Sequence, residues 1–287
     1  MNINITGVYH RMKKLMMIAL AALLALSIVG CSKDNDQTNI GNIEEELNNN
    51  DALIVGNFEF APNESGDYEI VDFIYNGSTP ITATIPARFD GRPVTGIGEE
   101  AFKSATLLTS VTFEEGSSIK YIGDFAFHGC TGLTAFDIPE TVVEIGNGAF
   151  WGCSALETVG MPEALETVGN YAFWGCKVLK SVEFPEREVV LNPDTKEYEG
   201  YLTVGEGAFF DCDALTEVAF PTNTKTIGKG AFIYCDAITG ITVKSATTEL
   251  GEGVFAGCTN AVKITAPADS KAAEFAAKEE LELVVAQ

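Results

Sequence analysis

Apolar positions along residues 97–266 return in a fixed order. Read from an Ile-Gly pair, the unit is Ile-Gly-x-x-Ala-Phe-x-x-Cys-x-x-Leu-x-x-Val-x-Phe-Pro followed by five further residues. Its cores are Ile97–Phe102, Ile122–Phe127, Ile145–Cys153, Val168–Cys176, Val204–Cys212, Ile227–Cys235 and Leu250–Cys258. The marker phenylalanines, Phe102, Phe127, Phe150, Phe173, Phe209, Phe232 and Phe255, follow one another at steps of 25, 23, 23, 36, 23 and 23. A period in the twenties marks stacked coils, because one unit cannot bury its own apolar side and stacking buries it. The Leu-x-x-Val-x-Φ part, as in Leu108–Phe113, Leu156–Met161, Leu179–Phe184 and Leu215–Phe220, is β-rich and alternates near its end. Each unit therefore predicts one short strand of a parallel sheet. The proline that follows (Pro139, Pro162, Pro185, Pro221, Pro267) ends the strand, since it cannot donate to the ladder. Ala-Phe-x-x-Cys predicts a return turn with its Phe in the core. Glycine after the isoleucine predicts either a positive-φ turn or a close approach of coils.

The flanks break this order. Residues 52–96 carry short β-type runs at Phe58–Phe60, Tyr68–Tyr75 and Ile81–Ile85, punctuated by Gly66-Asp67, Asn76-Gly77 and Asp90-Gly91. Such dipeptides between alternating runs predict hairpins, and a solenoid needs its raw apolar end covered. Between the fourth and fifth units lie 13 extra residues. There, about residues 186–203, two β runs surround Asn192-Pro-Asp-Thr195 and predict a projecting hairpin carrying Tyr198 and Tyr201. An insertion of this kind maps to one face of a repeat array, often the binding face; it is equally a tolerated decoration, since loop insertions cost little. In residues 267–287, Asp269 or Ser270 can cap a helix of Ala, Glu and Lys, and Leu281–Val285 reads as a strand. The fold predicted is a β-rich solenoid of seven coils of about 23 residues, with an N-terminal β-hairpin cap and a C-terminal helix-strand cap.

With the units quoted above, residues 97–266 resemble the BspA-like leucine-rich repeat family. The departures are modest: Ala105 stands in the cysteine column, Lys244 in the proline column and Ala261 in the leucine column. The resemblance implies a non-enzymatic surface protein that adheres to extracellular matrix or to other cells. It carries over no ligand-contact residue.

The N-terminus adds an address. Arg11, Lys13 and Lys14 precede an apolar run from Leu15 to Val29 that meets Gly30-Cys31. A basic region, a short apolar run and a small residue before the cut predict a secretory signal over residues 1–30. The run falls short of the about 20 apolar residues that a spanning helix needs. Met12-Lys-Lys-Leu would be a more usual start. Ile28-Val-Gly-Cys31 resembles the lipobox of bacterial lipoproteins, which implies lipidation at Cys31, and Ser32–Asp36 resembles the acidic export signal of Bacteroidetes-type outer-face lipoproteins. Together these imply an outer-membrane lipoprotein facing the cell exterior, held to the membrane by its lipid. Residues 31–51 are polar, acidic and rich in Asn, and predict a flexible tether.

Charge narrows the partners. The whole chain carries a formal net charge of −23, and without residues 1–30 it keeps 15 Lys and Arg against 41 Asp and Glu, a net −26. Such a surface repels nucleic acid. It favours basic partners or bound cations, and equally serves as a solvated acidic coat.

Of seven cysteines, Cys130, Cys153, Cys176, Cys212, Cys235 and Cys258 each lie three residues after a marker phenylalanine. Stacked positions in successive coils have parallel side-chain directions, which oppose the disulfide dihedral. Reduced, buried thiols are expected.

Catalytic chemistry finds little to work with. Beyond residue 30 the sole histidine is His128, so no histidine triad or multi-histidine metal site can form. A cysteine spacing of 23 is unlike paired zinc ligands. No metal, cofactor or catalytic residue is predicted. For binding, the residue after each marker phenylalanine runs Lys103, His128, Trp151, Trp174, Phe210, Ile233, Ala256, and Tyr234 adjoins it. Exposed, this column would form an aromatic stripe of the anchor type found in interfaces. Otherwise it packs on the turn side against neighbouring coils. The function expected is recognition of an extracellular protein by a surface-anchored solenoid. A carbohydrate-binding accessory lipoprotein, with Trp151 and Trp174 stacked on sugar, is one alternative, and a structural envelope component without a specific ligand is another.

Overall fold

A computed structural model describes residues 53–55 and 57–286. The signal segment, Cys31 and the stretch to residue 51 lie outside the described residues.

Each coil contributes two strands rather than the one expected. The Leu-x-x-Val segments form a parallel sheet, here sheet II, through Ile81–Ile85, Leu108–Phe113, Ala135–Asp137, Thr158–Gly160, Ser181–Glu183, Glu217–Phe220, Gly240–Val243, Lys263–Ala266 and Glu282–Val285. A second parallel ladder, sheet I, is made by the residues that end on the Ile of Ile-Gly: Tyr121–Ile122, Glu144–Ile145, Thr167–Val168, Leu202–Val204, Thr224–Ile227 and Glu249–Leu250. The repeated register, Ile122 beside Ile145 beside Val168 beside Val204, keeps one side chain per coil in the core. The array makes about nine turns.

The apolar columns meet inside. Phe102, Phe127, Phe150, Phe173, Phe209 and Phe232 are fully buried, and successive rings from Phe127 to Phe232 stack at 5.1–5.5 Å within 6° of coplanar. Behind them the thiols of the cysteine column are free, as expected. Each donates to the carbonyl of the marker phenylalanine one coil earlier: Cys130 Sγ to Phe102 O at 3.0 Å, Cys153 to Phe127 O at 3.2 Å, and so on to Cys258 and Phe232 O at 3.0 Å. Cysteine thus serves as a small apolar residue that also satisfies a buried carbonyl.

Glycine after the isoleucine answers the second of its two readings. A Cβ at Gly169 would lie 2.5 Å from the carbonyl carbon of Gly146 and 2.6 Å from Asn147 N. Close approach of coils is what excludes a side chain there.

The N-terminal block differs from a row of hairpins. Phe58–Pro62 and Tyr68–Phe73 do pair antiparallel, and Asp90-Gly91, both at positive φ, closes a small antiparallel pair of Arg88–Phe89 with Arg92–Pro93. Asn76-Gly77, however, joins strands of different sheets. Tyr68–Ile70 runs parallel to Val94–Ile97 in sheet I, and Ile81–Ile85 runs parallel to Leu108–Phe113 in sheet II. The block is built in coil register, which is why Phe73 continues the phenylalanine stack onto Phe102 at 4.9 Å.

At the other end, helix α1 (Lys271–Lys278) starts at Ser270, whose Oγ accepts from Ala273 N at 3.1 Å. It buries Ala272, Ala273 and Ala276, and Glu282–Val285 extends sheet II in parallel with Lys263–Ala266. No helix among the described residues is long and apolar enough to cross a membrane.

Candidate functional site

The connection from sheet I to sheet II is a tight turn, Gly-x-x-Ala-Phe-x-x-Cys, bonded coil to coil through its backbone. Gly129 N donates to Trp151 O at 2.7 Å, Gly152 N to Trp174 O at 2.7 Å and Gly175 N to Phe210 O at 2.9 Å. These bonds fix the residue after each marker phenylalanine on one edge of the solenoid. There His128, Trp151, Trp174 and Phe210 are half-buried, and Tyr234 is 54% exposed.

The column forms a continuous ladder. His128 lies 5.4 Å from Trp151, Trp151 stacks on Trp174 at 4.3 Å and 11°, Trp174 meets Phe210 at 4.8 Å, and Phe210 meets Tyr234 edge-on at 5.5 Å. The column combines features of both readings: the rings pack on one another, and each remains partly exposed.

Two members were not visible in the sequence. Phe125 sits 6.1 Å from Trp151 and 6.0 Å from His128, and Tyr171 sits 5.5 Å from Trp174. Both occupy a position that is glycine at 148, 207, 230 and 253, and both keep the left-handed backbone of those glycines (φ 55° and 56°). Tyr234 does the same, at φ 58°, in the column of Gly129, Gly152, Gly175 and Gly257. A left-handed non-glycine residue costs about 1–2 kcal/mol, and for a bulky side chain it is a genuine outlier. Each ring lies over the glycine of the adjoining coil, since a Cβ at Gly148, Gly207 or Gly257 would strike Phe125, Tyr171 or Tyr234 within 2.5 Å. The signal that could have found them was an aromatic residue breaking a glycine column.

The electrostatics of this edge vary along it. Burial, followed by the Lys103 ammonium, holds the His128 imidazole below its ordinary range, against the opposing pull of Glu100; its Nδ1 is buried without a hydrogen-bond partner. His128 is therefore neutral at pH 7. Tyr171 donates to Glu206 Oε1 at 2.8 Å, and that bond raises its phenol. Burial works against the Lys177 ammonium, yet bonds to Asp211 at 2.5 Å and Asp213 at 3.0 Å outweigh it and raise it. A polar ladder runs beside the rings: Asp124 Oδ1 accepts from Asn147 N, Asn147 Oδ1 from Asn170 N, and Asn170 Oδ1 from Glu206 N, at 2.7–2.9 Å.

Tyr198 and Tyr201 lie elsewhere. Val190–Leu191 and Tyr198–Glu199 form an antiparallel pair in the insertion, with Tyr198 62% exposed beside exposed Val190 and Leu191. Tyr201 is half-buried under the Lys225 ammonium, 5.7 Å from its ring centroid. The insertion belongs to the return connection from sheet II to sheet I, so the structure does not bring these tyrosines to the aromatic edge. Among the described residues no group of three or more His, Cys, Asp or Glu could hold a metal ion.

Two parallel sheets, short coils and leucine, phenylalanine and cysteine columns define a leucine-rich β-solenoid. The model of the BspA type leucine-rich repeat region matches residues 88–195 and 196–279 in six copies, and the chain belongs to that family. Among solved structures it is similar to the Treponema pallidum leucine-rich repeat protein TpLRR, at 28% identity over 72% of this chain and 88% of that one, with a TM-score of 0.59. A Bacteroides ovatus leucine-rich repeat protein (19% identity, 82% and 76% covered, TM-score 0.35) and a leucine-rich cell surface protein of Faecalibacterium prausnitzii (18%, 82% and 95%, 0.36) are more distant. No curated protein matches the sequence. Nothing in this fold positively indicates catalysis.

Proposed function

We propose that the protein is a surface-anchored, non-enzymatic lipoprotein that recognises protein partners, in matrix or on other cells, through the aromatic edge of its solenoid. One observation carries the reading: seven partly exposed rings, from Phe125 to Tyr234, follow one another in contact without a break across five coils, three of them at positions where other coils keep glycine. Aromatic side chains give large contact area for little lost freedom and dominate recognition surfaces. The sugar-stacking alternative needs a free ring face; in the tryptophan pair one face of each ring is covered by the other, and His128 and Phe125 beside Trp151, with Tyr171 and Phe210 beside Trp174, crowd the pair from outside. The lipid anchor at Cys31 and the exterior location rest on the sequence of residues 11–36 alone.

The test is binding of the purified protein to a panel of matrix proteins and to a glycan array. A Trp151→Ala/Trp174→Ala variant of unchanged circular dichroism and a variant lacking residues 189–199 run beside it. Protein binding lost with the tryptophans and kept without the hairpin is the expected outcome. Glycan binding alone, or protein binding indifferent to the tryptophans, would overturn it. For the anchor, Cys31→Ser moves the protein from the membrane to the soluble fraction.

A further inference from the structure

We infer that the aromatic edge takes a basic, arginine-containing segment of its partner, with the tryptophan pair receiving the apolar stems and a row of carboxylates receiving the charged heads. The inference rests on the recognition reading above and specifies its ligand.

The edge is chemically divided. Beside the tryptophan pair the flanking residues are Asn147 and Asn170, both neutral and both engaged in capping the next coil. The column of Asn147 and Asn170 continues as Glu206, Lys229 and Glu252, while Asp211, Asp213 and Asp236 flank the cysteines of the same turns, where Lys177 also stands. Lys177 is spent on Asp211 and Asp213. Glu206, Asp236 and Glu252 are exposed, and among the described residues none of them pairs with a lysine or arginine. Asp236 and Glu252 therefore stand without a cation towards the end of the aromatic row, and Glu206 has one oxygen, Oε1, taken by the Tyr171 hydroxyl.

Such a surface selects its ligand. An arginine brings a long apolar stem that lies along ring edges and a planar, weakly hydrated head with five donors for carboxylates. Lysine offers a strongly hydrated point charge in its place, and binds less well at a half-apolar site. Anionic chains, acidic glycans included, are repelled. Screening within about 8 Å at physiological salt confines this preference to groups in contact with the edge.

The chain supplies its own reporter, because its two tryptophans, Trp151 and Trp174, are both on this edge. The experiment titrates the full-length protein with a peptide alternating Arg and Leu, and with counterparts in which every Arg is Lys, Gln or Glu, following tryptophan emission. The Arg peptide is expected to change the emission saturably, the Lys peptide to bind more weakly, and the Gln and Glu peptides not to bind. In Glu206→Gln/Asp236→Asn/Glu252→Gln, whose substitutions are on the surface, Kd for the Arg peptide should rise about tenfold or more, and added salt should weaken the wild type towards the variant. Equal affinity for the Gln peptide, or an unchanged Kd in the triple variant, overturns the inference. Matrix-protein binding that needs the tryptophans while no Arg peptide binds would also sink it, and would leave the recognition reading standing. Arg-peptide binding with silence on the matrix panel would support the inference and turn the recognition reading away from matrix proteins.

Discussion

Phe150 lies between Phe127 and Phe173, with ring centroids at 5.2 and 5.1 Å, and is fully buried. Truncating such a ring removes its transfer energy and leaves a cavity walled by two more rings, so Phe150→Ala should cost about 3–5 kcal/mol, read as a lower urea midpoint. The thiols give a pH dependence of definite sign. Burial raises Cys130 and Cys235 from the ordinary 9.0 to about 12. The folded state holds them protonated, so their contribution is complete below pH 9 and is lost as pH rises from 9 towards 12. At pH 10 the loss is about 1.4 kcal/mol for each such thiol, and denaturant midpoints at pH 8 and pH 10 check it. A midpoint that does not fall would contradict the buried, protonated column. These columns were legible because six or seven copies show the same residue. Phe125 and Tyr171 were not, because each stands once in a glycine column and reads as filler until its φ is known.

Among elements, the short strands of sheet I show where pattern reading stops. Glu144–Ile145 is two residues long, and no alternation exists in two residues; its β character comes from register with Tyr121–Ile122 and Thr167–Val168. The glycine that follows was visible, but its reason was not. Since Gly146 C and Asn147 N stand 2.5 and 2.6 Å from where a Cβ at Gly169 would be, Gly169→Ala must push coils apart. A cost of about 1–3 kcal/mol is expected, measured by thermal or urea unfolding. Helix α1 shows the reverse case, a cap legible in advance down to a choice of two residues. Ser270 rather than Asp269 holds Ala273 N.

Over the whole molecule the 23-residue step explains both what repeats and what does not. The insertion adds 13 residues to one return connection without disturbing the stack: Phe173 and Phe209, on either side of it, remain 5.3 Å apart and 3° from coplanar. Removing residues 189–199 should shorten that step to 25, the spacing already present between Phe102 and Phe127. It keeps Gly200, whose carbonyl accepts from the buried Asn223 amide at 2.6 Å. A stability within about 1 kcal/mol of the parent is expected, with the near-ultraviolet circular dichroism of the tryptophan pair unchanged. The hairpin was legible because its turn sequence is local. The N-terminal block was only half legible, since Asn76-Gly77 has the chemistry of a hairpin turn and the crossover it makes depends on strands that follow much later.

The stacking of like on like also bears on how such a chain can change over generations. A coil carries in one short stretch of gene its core phenylalanine, its thiol, its close-packing glycine and its place on the edge. In-frame duplication or loss of that stretch by unequal crossing-over leaves both neighbours facing partners they already fit. The reach of the edge can then be inherited in whole steps of about 4.8 Å, one ring at a time, with the ends of the molecule passed on intact.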